Sequence, residues 1–100
     1  MPGTGPGARV VIAQASSPRL ARSARLREDT ARGQWTILAP ERVFVLDLVA
    51  VAVVQLCDGT RDCIGIADEL ARRYEADPAV ILADIVPMLQ DLADKGVIEA

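Results

Sequence analysis

Histidine is absent from this chain, and only three of its 100 residues are aromatic and two are cysteine. Without histidine the chain lacks the commonest general base and the commonest metal ligand. The rings of Trp35, Phe44 and Tyr74 give little surface on which nucleic-acid bases could stack. The sequence also shows no nucleophile–base motif and no glycine-rich phosphate loop. We therefore expect a protein without enzymatic activity, cofactor or metal ion.

The two cysteines, Cys57 and Cys63, are too few for a zinc site in a chain without histidine. A disulfide between them stays open from the sequence, although disulfides are rare in cytosolic proteins. We interpret both thiols as small buried apolar groups.

Long apolar runs are missing as well. The longest, Leu48 to Val54, is too short to cross a bilayer. Val10 to Ala13 is too short for the hydrophobic region of a signal peptide. We expect a cytoplasmic protein that does not bind a membrane.

Charge is distributed unevenly along the chain. Residues 1–46 carry seven arginines against three acidic side chains, or +4, whereas residues 47–100 carry four basic against eleven acidic side chains, or −7. A surface that binds phosphates must be basic, so the acidic half argues against nucleic acid as a partner.

The composition divides the chain into a leader and one domain. Glycine, proline and serine are frequent in residues 1–17, which predicts a flexible N-terminal segment, although Arg9 to Ala13 could pair weakly as a strand. Residues 18–100 then form a domain whose apolar content allows a modest core.

Three short strands are predicted first. Apolar and basic side chains alternate in Ala24–Arg27, and Trp35–Leu38 is rich in strand-forming residues. Turn residues separate the two segments, which favours a β-hairpin. Pro40 sets a second turn. Arg42–Leu46 is the third strand.

Three helices are predicted to follow. Asp47 can cap the first, which runs to about Cys57. Its valines leave an extended strand through Val54 open as an alternative. The second helix opens at Thr60 or Asp62 and ends near Tyr74.

The third helix starts at Asp77–Pro78, a cap followed by proline at the first helical position, and ends at Gly96. The fold class is therefore α+β and winged-helix-like, with a three-stranded antiparallel sheet followed by three helices.

The third strand has no sequence-local partner on its far side. Such an edge offers free backbone donors and acceptors to a second polypeptide. Because side chains alternate, Val43 and Val45 should point away from the helices, whereas Phe44 and Leu46 should point inward.

From Pro18 to Ile98 the chain resembles the PqqD family of pyrroloquinoline quinone biosynthesis. The residues that carry the resemblance are spread over about four-fifths of the chain: Arg25-Leu26-Arg27, Trp35, Leu38, Pro40-Glu41-Arg42, Leu46, Ala50, Leu56-Cys57-Asp58-Gly59, Ile66, Leu70, Leu89, Leu92 and Lys95-Gly96-Val97-Ile98. The Leu-x-Pro-Glu and Leu-Cys-Asp-Gly motifs at this separation are together fairly specific.

The resemblance implies a non-catalytic peptide chaperone, the founding example of a recognition element used in many peptide-modifying pathways. It implies that the precursor peptide of pyrroloquinoline quinone lies along the third strand and the third helix. It also implies a second partner, a radical S-adenosylmethionine enzyme, to which the peptide is presented.

Two features depart from the family pattern. The family usually opens its first helix with Asn-x-Thr/Ser-Ala, whereas this chain has Asp47-Leu-Val49-Ala50. Family members also tend to carry charged residues on the outer face of this helix, where Leu48, Val51 and Ala52 are apolar here. An exposed apolar stripe of this kind often marks a subunit interface, so a homodimer is possible.

The site prediction combines the third strand with the apolar shoulder of the third helix. The predicted peptide-binding residues are Arg42, Val43, Phe44, Val45, Leu46, Leu82, Ile85, Val86, Leu89 and Ala93. Packing of the helix shoulder against the sheet or the first helix is an equally open interpretation. Arg42, with Arg32 as a second candidate, is predicted to meet a glutamate of the peptide.

Two alternatives belong to other classes of protein. In a purely structural dimer module, the edge of a second copy or exchanged N-terminal strands would occupy the strand edge. A winged-helix DNA-binding protein is disfavoured because neither of the last two helices is net positive.

Overall fold

The computed structural model describes residues 9–100, and its elements follow the predicted α+β order. They are β1 (Arg19–Leu20), β2 (Arg25–Asp29), β3 (Gln34–Ala39), β4 (Arg42–Leu46), α1 (Leu48–Gln55), α2 (Cys63–Tyr74), α3 (Pro78–Asp94) and β5 (Ile98–Glu99). The three predicted strands correspond to β2, β3 and β4. The winged-helix-like fold class is thus confirmed.

The main sheet has the order β2-β3-β4, and both pairings are antiparallel. Pro40 and Glu41 form the two-residue turn between β3 and β4, with Ala39 opposite Arg42 and Glu41 at φ 61°. In the described part of the chain, β4 pairs with β3 alone. The predicted open edge is therefore present.

A second, two-stranded sheet joins the ends of the domain. β1 pairs antiparallel with β5, with Arg19 opposite Glu99 and Leu20 opposite Ile98. The sequence did not predict β1, because two residues carry no periodicity and this strand exists only through its distant partner. The extended conformation predicted after Gly96 is confirmed by β5.

Each helix begins at an aspartate cap, and for α2 this is Asp62 and not the alternative Thr60. The side chains of Asp47, Asp62 and Asp77 accept backbone hydrogen bonds at the starts of α1, α2 and α3 respectively. The alternative of a strand through Val54 is wrong, because the cap and the apolar surroundings favour a helix despite the valines. Gly96, at φ 81°, follows the last residues of α3 as a helix-ending glycine should.

The core lies between the helices and the inner face of the sheet. Its fully buried side chains include Ile37 from the sheet and Ile66 and Leu89 from α2 and α3. Cys57 and Cys63 are free and buried, which confirms their interpretation as apolar groups. Burial raises the pKa of Cys57 to about 12, so its thiol stays neutral.

The predicted stripe on α1 needs a correction. Val51 and Ala52 are buried in the core, whereas Leu48 is 80% exposed and Val49 is 69% exposed. The second turn of α1 packs into the core, so the exposed apolar surface is confined to its first turn.

The N-terminal prediction covered residues 1–17, of which residues 1–8 lie outside the described part. Residues 9–17 form no strand, so the weak strand predicted at Arg9–Ala13 is wrong. Ile12 is buried, and its backbone N–H donates to the Gln90 side chain at 2.8 Å. Flexibility of the whole segment stays a prediction, although residues 9–17 contact α2 and α3.

Within residues 9–100, none of the helices has the length and hydropathy that crossing a bilayer requires.

Glu75 offers a test of backbone strain in this fold. It ends α2 in the left-handed conformation, at φ 52° and ψ 49°, where glycine carries no side-chain penalty. We expect Glu75→Gly to raise the free energy of unfolding by about 0.5–1 kcal/mol, because relief of strain exceeds the added unfolded-state entropy. The matched control Glu28→Gly, in extended β2, should lower it. Urea denaturation of both variants measures this, and a loss of stability in Glu75→Gly would contradict the explanation.

Candidate functional site

The candidate site is the open edge of β4 together with the face of α3 beside it. The side chains of β4 alternate as predicted: Val43 and Val45 are 62% and 64% exposed, whereas Phe44 and Leu46 are half-buried and pack against the core. The inward set fixes β4 to the domain. The outward set leaves two large aliphatic groups in solvent.

The backbone of β4 determines which groups a guest could reach. A two-residue turn makes Ala39 and Arg42 the closing hydrogen-bonded pair. Alternation along an antiparallel pair then turns the N–H and C=O groups of Phe44 and Leu46 toward β3, and those of Val43 and Val45 toward the free edge. Two residues of β4 therefore present unpaired donors and acceptors to an extended chain.

The opposite edge of the sheet differs in chemistry. β2 also has one free edge, but Arg25, Arg27, Glu28 and Asp29 make four of its five residues charged. Charged residues on an edge strand discourage pairing with other chains. The apolar edge of β4 is the better acceptor of a strand.

Arg42 connects the start of β4 to the end of α3. Its guanidinium donates to the backbone carbonyl of Lys95, the residue that caps α3, and lies 5.3 Å from the centre of the Phe44 ring. The Lys95 ammonium lies 6.0 Å from the same ring centre. Across residues 9–100, no carboxylate lies within 4.0 Å of Arg42. The Lys95 ammonium is paired with the Asp91 carboxylate at 2.7 Å, so the positive charge that this end of the site offers is that of Arg42.

The other end of the site is apolar. Leu48 and Val49, in the first turn of α1, line a groove of about 370 Å³ with Ile81 and Ile85 of α3 and Tyr74 at the end of α2. We call this the α1–α3 groove; its remaining lining residues are Ala52, Val53, Leu70, Ala76 and Asp84. Asp84 is the one charged residue among them. β4 and α3 thus run in opposite directions along the site.

The helical projection separates two faces of α3. Ile81, Asp84 and Lys95 fall within an arc of about 60° on the side of β4 and α1. Leu82 and Val86 fall on another side, where they line a smaller cavity with Gln14. The N-terminal segment lies against this second face.

That N-terminal contact is made by hydrogen bonds and one ion pair. The Gln90 side chain donates to the backbone carbonyl of Val10 at 2.7 Å, and the Arg9 guanidinium contacts the Asp94 carboxylate at 2.9 Å. The Arg9 hydrogen bond lowers the pKa of Asp94. These groups fix the face of α3 that points away from β4.

The predicted helix residues therefore differ in accessibility. Ile85 lines the α1–α3 groove but is only 3% exposed, and Leu89 is 0% exposed within the core. Ala93 is buried, and Leu82 and Val86 are half-buried beside Gln14. Phe44 and Leu46 pack against the core cluster that contains Ile85, whereas Leu82 and Val86 line the cavity beside Gln14.

Sequence reasoning did not assign Val49, Tyr74 and Ala76 to the site. Tyr74 was predicted on the apolar face of α2, yet it is 63% exposed at the groove. A signal was present in the adjacent Leu48 and Val49, since two consecutive apolar residues directly after a cap cannot both face the core.

Comparison with known proteins agrees with this architecture. A family model described as Coenzyme PQQ synthesis protein D (PqqD) matches residues 34–98. A relative named PqqA binding protein, from Rhodopseudomonas palustris (strain TIE-1), is 56% identical over 88 residues, which cover 88% of this chain and 86% of the relative.

Two solved structures are also similar. The solution NMR structure of the PqqD truncation of Methylobacterium extorquens PqqCD, described as a functional and stand-alone recognition element for ribosomally synthesized and post-translationally modified peptides, has a TM-score of 0.80 at 48% identity and covers 91% of this chain and 97% of that one. The crystal structure of PqqD from Xanthomonas campestris has a TM-score of 0.58 at 39% identity and covers 90% and 100%.

The three-stranded sheet with one apolar open edge, followed by three helices, defines a small recognition domain of the winged-helix type. The family match and the identity to relatives of similar length are more specific than the fold. The chain belongs to the PqqD family, coenzyme PQQ synthesis protein D.

Proposed function

We propose that this protein binds the precursor peptide of pyrroloquinoline quinone, PqqA, by strand addition along β4, and that it presents the peptide to a radical S-adenosylmethionine enzyme. The observation that carries the proposal is the open edge of β4, where Val43 and Val45 direct their backbone groups outward. The name of the R. palustris relative, PqqA binding protein, supports the choice of ligand.

Backbone pairing supplies affinity with little sequence selectivity, so neighbouring side chains must choose the peptide. Arg42 can attract a carboxylate of the guest, because it has no acidic partner among the described residues. An exposed ion pair of this kind contributes about 0.2–1 kcal/mol, so it adjusts selection and does not drive binding. Ordering a flexible peptide is costly, and we expect affinities of about micromolar or somewhat tighter.

Presentation of the peptide requires that a second protein can still approach. A guest on β4 leaves the edge of β2 and the outer sheet face, with the exposed side chains of Arg25 and Arg27, uncovered. The domain itself supplies no catalytic group in this proposal; it holds the peptide while the enzyme acts.

Titration with the pathway's own precursor peptide, followed by NMR, tests the proposal. We expect amide shifts concentrated at residues 42–46 and 81–93, because those backbones form the two walls of the site. Methyl shifts should be larger for Ile81, on the β4 side of α3, than for Leu82 and Val86. Saturation with peptide without amide shifts in β4 would overturn strand addition.

A homodimer is a second candidate, because large aliphatic side chains are exposed at two neighbouring elements, Val43 and Val45 on β4 and Leu48 and Val49 in the first turn of α1. A second copy could occupy this surface instead of a peptide. Sedimentation of the protein alone and with peptide distinguishes the homodimer from peptide binding. If a dimer dissociates when peptide is added, the second copy and the peptide compete for the same edge of β4.

A further inference from the structure

We propose that Gln90 is a positioning residue for peptide binding. Through residues 9–17, which we call the N-terminal strap, it holds the C-terminal part of α3, residues 88–94, in place opposite β4. This inference rests on the proposed function and extends it, because Gln90 lies on the face of α3 that points away from the guest strand. Strand addition alone gives the strap no part in binding.

α3 has an internal weak point at Pro87. Proline has no backbone N–H, so the carbonyl of Ala83, four residues earlier, lacks its helical donor. A proline inside a helix is also a common site of bending. Residues 88–94 therefore depend on contacts outside the helix more than they would in a helix with every hydrogen bond in place.

Two sets of contacts hold the C-terminal part of α3. On the β4 side, the Arg42 guanidinium donates to the backbone carbonyl of Lys95, directly after the helix. On the opposite side, the Gln90 side-chain amide accepts from the Ile12 N–H at 2.8 Å and donates to the Val10 carbonyl at 2.7 Å. One side-chain amide thus pairs with the backbone of the strap as a neighbouring strand would.

The strap is itself anchored to the start of α2. The backbone N–H of Cys63 donates to the Ser16 carbonyl at 3.0 Å. The next N–H, that of Ile64, donates to the Gln14 carbonyl at 3.3 Å. Between these bonds and Gln90, the Ile12 side chain is 5% exposed within the core cluster. The strap therefore connects the C-terminal part of α3 to the first turn of α2.

An ion pair adds to the same connection at the end of α3. The Arg9 guanidinium donates to both oxygens of the Asp94 carboxylate at 2.9 Å, and the Gln90 amide also donates to Asp94 at 3.0 Å. Both ionic side chains are exposed, so water screens the pair. The main link between strap and helix is therefore the Gln90 amide.

This link affects binding because the helix and β4 meet at Arg42. A shift of residues 88–94 changes the surface that a peptide meets beside the start of β4. Without the strap contact, part of the binding free energy would be used to order these residues. A wall that is already in place raises affinity without touching the guest.

Gln90→Leu tests the link, since it removes both strap hydrogen bonds and nearly keeps the size of the side chain. We expect the pathway's precursor peptide to bind about three- to tenfold more weakly by calorimetry, as loss of one or two net hydrogen bonds predicts. Amide hydrogen exchange at residues 88–94 should become faster. The matched control is Gln55→Leu, the same change at an exposed position at the end of α1, which should bind within about twofold.

Pro87→Ala separates positioning from a purely structural role. This change restores the hydrogen bond to the Ala83 carbonyl, so residues 88–94 should keep their position without the strap. In a Pro87→Ala background, we expect Gln90→Leu to change peptide affinity by less than about twofold. It should still lower the urea midpoint, by a similar amount in both backgrounds.

Two results would overturn the assignment of Gln90: unchanged peptide affinity in Gln90→Leu, or an equal loss of affinity with and without Pro87→Ala. If Gln90→Leu does not fold, Gln90→Glu decides instead, because it keeps the acceptor for Ile12 and loses only the donor to Val10. Either negative result leaves strand addition in place. Failure of the proposed function shows itself separately, as absent β4 amide shifts in the unaltered protein.

Discussion

Val45→Pro should reduce precursor-peptide affinity by at least about tenfold and should leave the domain folded. The Val45 N–H faces the open edge, so its loss removes a hydrogen bond to the guest and none within the sheet. A guest carbonyl left unpaired costs about 1–3 kcal/mol, and the proline ring also obstructs a neighbouring strand. Isothermal calorimetry measures the affinity, and circular dichroism measures the fold.

Glu28→Pro is the matched control for this variant. The same alternation turns the Glu28 N–H toward the free edge of β2. This proline therefore imposes the same backbone change on the opposite side of the sheet, and peptide affinity should stay within about twofold. Normal binding by Val45→Pro, or equal losses in both variants, would show that the peptide does not add to β4.

Leu89→Ala should lower the free energy of unfolding by about 2–5 kcal/mol, the largest stability effect that we expect from one side chain of α3. Leu89 is 0% exposed and belongs to the central core cluster. Its removal leaves a cavity that the rigid packing between the helices and the sheet cannot fill. Urea denaturation followed by circular dichroism measures the change.

Leu48→Ala provides the comparison, because Leu48 is 80% exposed and its truncation should change stability by less than about 0.5 kcal/mol. The folded fraction of Leu89→Ala should bind peptide nearly normally if this residue acts through the core. A large affinity loss in a Leu89→Ala protein of unchanged stability would instead make Leu89 a direct contact.

Local chemistry was enough to predict most of the fold. Aspartates at positions 47, 62 and 77 start all three helices, and Pro40 marks the hairpin turn. These signals depend on residues close in sequence. β1 could not be predicted in the same way, since Arg19–Leu20 is a strand only because β5, almost 80 residues later, pairs with it.

The candidate site was predicted in part for the same reason. Alternation along β4 correctly gave exposed Val43 and Val45 and inward Phe44 and Leu46. The apolar arc of α3 was also visible, but the sequence does not show which element covers which part of it. The contact of Gln14 with the Leu82 side, and of α1 with the Ile81 side, depends on tertiary packing.

The Arg42 side chain connects the start of β4 to the end of α3. Through the Lys95 carbonyl, one guanidinium bridges the sheet and the last turn of α3. The first residue of β4 and the residue that caps α3 are thereby held together by a side chain and not by backbone pairing.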